Sequence, residues 1–249
     1  MQLSKTDFLQ FLHCAKSLWL LKCKPALYEH GPFSDYLQKI VTEGYEIEAY
    51  LEAYLLAQPD ANKYFYQTVF KTDEGLFAKA DCTRNNDDGT INIYEVKSTT
   101  KVQRSAQKDQ VKDAAFQRIA AEGAGFTVKQ IFIVHLDGRY VRNGAIDAEQ
   151  LLTFSDVTAA VDGMISDTKN EIDSALLLLQ SASIDESSCS CLELTKNNHC
   201  DAFDYFNSGI PQPSIYNLPR VSKTKLCSFV ADGRFDLDEI ALQEVTKKQ

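Results

Sequence analysis

Three residues near the middle of the chain are of types that can do chemistry together: Asp81, Glu95 and Lys97. Asp81 lies near the end of an apolar, strand-like run at 76–82. Glu95 and Lys97 close a second such run that starts at Ile91. Between the runs, residues 85–89 end on Asp88-Gly89, a pair that favours a tight hairpin connection. Side chains alternate along a strand, so Glu95 and Lys97 share one face and Val96 takes the other. A hairpin of this kind brings Asp81 beside them. Two carboxylates can hold one or two hard cations such as Mg²⁺ or Mn²⁺. A neighbouring lysine can orient a water, help deprotonate it, or balance charge on a phosphate. That chemistry is phosphodiester hydrolysis. A cross-strand salt bridge on a wet sheet face is the plainer reading of the same three residues.

The elements around the hairpin bear on that choice. A helix over 34–57 carries Leu37, Val41, Gly44, Leu51 and Leu55 in one stripe, with Glu48 inside the stripe and Glu43 and Glu46 opposite. Glu48 reads either as a salt-bridged glutamate at the core edge or as a further metal ligand. Residues 64–70 are aromatic and β-branched and predict a strand. A helix over 105–122 buries Val111, Ala114, Ala115 and Ile119 and carries Gln117, which reads as polar surface or as a contact to substrate or metal-bound water. A strand at 130–136 follows. Strand, helix, strand in this order predicts a right-handed crossover and a partly parallel sheet. An edge strand over 139–142 and a helical stretch over 147–179, broken near Phe154-Ser155, complete this part. At the start, Ser4 and Asp7 form a capping box for a helix over 5–13.

The chain has 249 residues, 44% of them apolar, enough for one large or two small domains. No apolar run has the length of a bilayer span, and the first residues lack a secretory pattern, so a cytoplasmic protein is expected. A net charge of −9 argues against a protein that coats nucleic acid non-specifically. Locally the balance reverses: Lys97, Lys101, Arg104, Lys108, Lys112 and Arg118 face only Asp109 and Asp113 over that stretch. Phosphate contacts need such a local field. Of seven cysteines, Cys189, Cys191 and Cys200 crowd together after a small, polar linker at 181–190. An odd count in a long chain does not suggest a disulfide framework; the crowding points to a metal or iron–sulfur site, or to nothing. Residues 225–249 show no complete folding unit.

In sum the chain resembles the PD-(D/E)XK nuclease superfamily, in its RecB-like and Cas4-like exonuclease branch, and within it the N-terminal half of the bacterial DUF2779 family. The resemblance spans about residues 3–235. It rests on Leu3-Ser4-Lys5, Cys14 with Leu18-Trp19-Leu20, Glu95-Val96-Lys97-Ser98, the stretches 113–125 and 133–144, and Tyr216-Asn217-Leu218-Pro219-Arg220. It implies an α/β, restriction-endonuclease-like core, a mixed sheet flanked by helices. It implies catalytic roles for Asp81, Glu95, Lys97 and Gln117, with Mg²⁺ or Mn²⁺ held by Asp81, Glu95 and Glu48, the last standing where the branch often has histidine. From the local basic excess, Lys101, Arg104, Lys108 and Lys112 would hold the backbone of DNA, and the resemblance makes single-stranded ends suitable substrates.

The resemblance also implies a [4Fe–4S] cluster on Cys14 and three C-terminal cysteines. Phe206 occupies the usual last cysteine position, so Cys189, Cys191 and Cys200 would have to supply all three thiolates. Zinc suits the same four thiolates, and a lost cluster is the third reading. The expected domains are a nuclease-like 1–180, a cysteine segment 181–224 packing back on the N-terminus, and 225–249 as a tail or the start of a further nuclease-like domain. Two other functions fit the sequence: a nuclease-like scaffold with little activity, and an RNA-directed hydrolase.

Overall fold

The computed structural model describes residues 1–31, 35–105 and 108–245, the side chains of 35–41, 108 and 242 excepted. They form two compact units, Met1–Leu9 with Pro32–Leu176 and Gln10–Gly31 with Leu177–Gln249.

The first unit is α/β, with a six-stranded mixed sheet flanked by helices. Its strands are β1 (Leu3–Ser4), β2 (Tyr64–Lys71), β3 (Leu76–Asn85), β4 (Ile91–Val96), β7 (Val128–Leu136) and β8 (Leu152–Asp156). A separate two-stranded ribbon joins β5 (Arg104–Ser105) and β6 (Lys108–Asp109). The expected hairpin is present: β3 pairs antiparallel with β4, with Cys82 opposite Tyr94. β4 then pairs parallel with β7, and the crossover between them contains α4 (Gln110–Gly123). Asp109 caps α4 by accepting from the backbone N–H groups of Val111 and Lys112 at 3.0 and 3.2 Å. Val111, Ala114, Ala115 and Ile119 are buried along it, at the spacing that predicted the helix.

One feature of the sheet creates the site. β2 covers β3 from Phe77 to Arg84. β1 pairs with Leu76 and Phe77, and β4 with Cys82–Asn85. Both must therefore lie on the other edge of β3, end to end, with a gap between them. Asp81 sits at that gap. Extending the register by one step places it across from Glu95 on one side, and the β2 register places it across from Gln67 on the other.

On one face of the sheet, α3 (Asp35–Leu56) packs Ile47, Leu51 and Leu55 against Cys82, Tyr94 and Val134. The buried stripe runs through Ile47 rather than Gly44; the side chains of Leu37 and Val41 lie outside the described residues. Residues 139–142 form no strand. The edge is β8 instead, paired antiparallel with β7. Its Thr, Phe and Ser residues interrupt the expected helical stretch, which becomes α5 (Ala148–Leu151), β8, α6 (Thr158–Asp162) and α7 (Ile165–Gln180).

The second unit contains α2 (Ala15–Cys23), α8 (Phe203–Phe206) and α9 (Lys223–Ala231). Cys14, Leu20 and Tyr28 share a buried cluster with Cys189, Phe203, Phe206, Leu226 and Phe229. This shared burial joins residues 10–31 to the C-terminal part rather than to 1–180. Phe235 and Ile240 pack on the same cluster. The remaining helix, α1 (Lys5–His13), begins in one unit and ends in the other. Its capping box is present: Ser4 N–H donates to Asp7 Oδ2 at 2.8 Å, and Asp7 N–H donates to Ser4 Oγ at 3.2 Å. Among the described residues, no helix is long and apolar enough to cross a membrane.

Candidate functional site

Glu95 is the centre of a buried polar group in the first unit. β4 carries it inward, and its side chain is 2% exposed. Lys97 Nζ donates to Glu95 Oε1 at 2.8 Å and to Asp113 Oδ2 at 2.8 Å. Lys5 Nζ, carried in by the first turn of α1, donates to the same Glu95 oxygen at 2.5 Å. Gln117 is fully buried and donates from Nε2 to Glu95 Oε2. Its Oε1 is buried without a hydrogen-bond partner. Asp81 Oδ2 accepts from the backbone N–H of Val96 at 2.7 Å. The hairpin thus brings Asp81, Glu95 and Lys97 together, as their spacing predicted, and α4 adds Gln117, which the sequence left between polar surface and a site contact.

The charges explain the proton affinities. Burial, then the negative charge of Glu95, pushes the Asp81 carboxyl up to about 7. For Glu95, burial acts upward, but Lys97 and Lys5 outweigh it and hold the carboxyl at about 2. Burial opposes the Lys97 charge; Glu95 and Asp113 more than offset it and raise the lysine. Three carboxylates, Asp81, Glu95 and Asp113, thus meet two ammonium groups, Lys5 and Lys97. Beside Glu95, Asp81 takes up a proton more readily than an ordinary carboxyl.

Glu48 faces this group from α3. It lines a cavity of about 290 Å³ with Tyr45, Glu52, Tyr66, Gln67, Asp81 and Val96. Burial and the Glu95 charge raise its carboxyl. Gln67 Nε2 holds Glu48 Oε2 at 2.9 Å. Gln67 has φ 55°, a left-handed conformation rare for a side-chain-bearing residue, at the position opposite Asp81. The donor set suits a hard cation: oxygen ligands, an unneutralised acid, and a buried acceptor on Gln117. The spacing is looser. Among the described residues, the group whose ligand atoms all lie within 4.8 Å of one another is the four cysteines, and Glu48, Asp81 and Glu95 do not form such a group.

The basic residues divide. Lys101 and Arg104 are exposed. Lys112 is not available as expected: its Nζ pairs with Glu171 at 2.7 Å and donates to Thr168 at 3.3 Å, because α7 runs beside α4. The Lys108 side chain lies outside the described residues. His135 is structural, bonded to Ser155 Oγ at 2.9 Å and the Leu136 carbonyl at 3.0 Å.

The second unit holds the cysteine centre. Cys14, Cys189, Cys191 and Cys200 are all buried, with sulfurs within 4.8 Å of one another, an arrangement that could hold a metal ion. Cys14 is the N-cap of α2, at the positive end of that helix. Asn207 Nδ2 donates to Cys189 Sγ at 3.4 Å. The thiols share protons unequally: contact with Cys14 lowers Cys189 and raises Cys191 and Cys200. Phe206 is an apolar member of the surrounding core.

Lys5, Asp113 and Gln67 were missed in the sequence. Lys5 is 90 residues from its partner. Asp113 stood out only as an acid in a basic run, and nothing in the sequence marks Gln67 as left-handed.

The chain matches no protein-family model and no curated protein. The crystal structure of SSO0001 aligns with 68% of this chain and 75% of its own, at 12% identity and a TM-score of 0.41. That likeness is too slight to carry an argument.

Proposed function

We propose that the first unit is a metal-dependent nuclease acting on DNA, with single-stranded ends as substrates. The observation that carries this reading is the convergence of Asp81, Glu95 and Lys97 at the gap on the edge of β3. Asp81 and Glu48 would hold Mg²⁺ or Mn²⁺, with Glu95 beside them. Bound there, the cation supplies an acidified water and positive charge for the phosphoryl oxygens. The protein's own groups do the positioning. Asp113 holds Lys97 against Glu95, where its ammonium would orient the attacking water and balance charge in the transition state. Gln117 fixes the orientation of Glu95. Exposed Lys101 and Arg104 offer contacts to the phosphate backbone that read no sequence.

In the second unit, we propose that the four cysteines bind a metal centre that ties its N- and C-terminal segments together. A tetrahedral Zn²⁺ with Zn–S near 2.3 Å sets sulfurs about 3.8 Å apart. The compact sulfur group supports that single ion. A [4Fe–4S] cluster puts an iron atom between each sulfur and the centre and needs wider spacing; metal and acid-labile sulfide analysis after anaerobic purification separates the two.

The test of the nuclease reading is cleavage of end-labelled single- and double-stranded DNA, and of RNA, with Mg²⁺ or Mn²⁺, beside Glu95→Gln. Cutting of DNA by wild type and its loss in the variant are expected. One observation favours the scaffold reading: two lysines already neutralise Glu95. A folded wild type that binds Mn²⁺ but leaves every substrate intact would establish it.

A further inference from the structure

Two lysines converge on one oxygen of Glu95, and their circumstances differ. Lys97 follows β4, and its Nζ is held between Glu95 and Asp113 at 2.8 Å each. A lysine fixed by two carboxylates cannot leave one without exposing the other's charge. Lys5 arrives from the opposite direction. It is the first residue of α1, its backbone is set by β1 pairing with β3, and its Nζ meets Glu95 Oε1 at 2.5 Å. The side chain is 23% exposed. β1 ends at Ser4 and β4 at Val96, so Lys5 enters at the open gap where Asp81 lies.

We propose that Lys5 is a second lysine of the nucleic-acid site, which turns from Glu95 to a phosphate of the bound strand. The inference rests on the phosphodiester reading and deepens it by naming a residue that touches substrate. The physical reason is exchange between anions. Glu95 retains Lys97 and Gln117 when Lys5 leaves, so its charge stays compensated. A phosphate oxygen offers Lys5 an equivalent charge-assisted hydrogen bond. Lys97 has no comparable exchange open to it, because leaving would uncover both Glu95 and Asp113. The two lysines thus have distinct tasks: Lys97 keeps the carboxylates in place, and Lys5 meets the incoming strand.

The experiment measures binding of a fluorescent single-stranded oligonucleotide across a salt series, with Ca²⁺ in place of Mg²⁺, for wild type, Lys5→Gln, Lys5→Arg and Lys97→Gln. Each phosphate contact contributes about 0.7 to the slope of log affinity against log salt for a single strand. Lys5→Gln removes the charge, so its slope should fall by about 0.7. Lys5→Arg should keep the wild-type slope. Lys97→Gln should keep it as well, while losing cleavage with Mg²⁺. Should Lys5→Gln not fold, the wild type still decides. Acetylation of Lys5, followed by mass spectrometry, should slow when the oligonucleotide binds. A wild type that binds and cuts while Lys5→Gln keeps the full slope, or while Lys5 acetylation is unaffected by the oligonucleotide, overturns the role of Lys5 alone. A wild type that neither binds nor cuts overturns the nuclease reading, and the role of Lys5 with it.

Discussion

Replacing Asp81 by asparagine should stabilise the protein at pH 8, the opposite of the usual effect of altering a buried polar residue. The folded state raises the Asp81 carboxyl from 3.8 to about 7, through burial and the charge of Glu95. A raised acid binds its proton more tightly when folded. Its contribution is fully present below the unfolded value near 3.8 and is lost as the pH rises through about 7. At about 1.36 kcal/mol for each tenfold change in proton affinity, the displacement is equivalent to ~4 kcal/mol at most. Solvent reaches this half-buried side chain, so about 1–3 kcal/mol is a realistic share. Asparagine carries no charge and keeps an acceptor for the Val96 N–H, which Asp81 Oδ2 binds at 2.7 Å. Glu95, held at about 2, titrates below this window and does not blur it. The assay is thermal unfolding of wild type and Asp81→Asn at pH 4 and pH 8 in EDTA. The variant should melt about 2 °C or more above wild type at pH 8, taking about 2–4 °C per kcal/mol for a chain of this size, and close to it at pH 4. Mn²⁺ should raise the melting point of wild type and not of the variant. A variant less stable than wild type at pH 8, or equally shifted at both pH values, refutes the claim that burial and Glu95 raise Asp81.

Glu95→Gln should abolish cleavage and also lower stability by about 3 kcal/mol in urea unfolding, because it strips Lys5 and Lys97 of a buried counter-charge. Lys112→Met should reduce stability through the lost Glu171 pair and leave the salt slope of DNA binding unchanged. Arg104→Ala, at an exposed position, should lower that slope by about 0.7 and leave the melting point alone. On the proposed metal centre, Cys200→Ser should abolish metal retention, read by elemental analysis against wild type, and lower the melting point.

The hairpin was legible because its signals are local. Period-two alternation and Asp88-Gly89 place Glu95 and Lys97 on one face without reference to the rest of the chain. The helix spacing of Val111, Ala114, Ala115 and Ile119 likewise located α4 and with it Gln117. What stayed hidden depends on long-range pairing. Lys5 enters the site through a two-residue strand whose partner lies more than 70 residues away. β8 is five residues long, and its helical flanks masked the change of period at Thr153 and Phe154. Glu48 was placed on the inner stripe, yet the buried line is Ile47, Leu51 and Leu55; Glu48 sits one residue aside, where Gln67 can reach it. No local pattern encodes a left-handed glutamine, because the conformation is imposed by the strands around it.

The gap on β3 gives Asp81 two tasks that its two oxygens can divide. The first is structural: Oδ2 accepts from the Val96 backbone N–H, which lies at the β4 end where the ladder to β3 has stopped. That bond ties β4 to β3 at the place where strand pairing fails, and it fixes the direction of the other carboxylate oxygen. The second belongs to the proposed function: the other oxygen, on the acid raised by Glu95, would be the first ligand of the proposed cation. Glu95 is the weaker one at the outset, since Lys5 and Lys97 share Oε1 and Gln117 engages Oε2. Cation affinity should therefore depend on Asp81 first and on Glu95 only once Lys5 has moved. Mn²⁺ titration by calorimetry separates the two: Asp81→Asn should abolish binding, and Lys5→Gln should tighten it by about tenfold as Glu95 becomes available. Equal affinity in Lys5→Gln and wild type would mean that Glu95 contributes to the site only through Lys97.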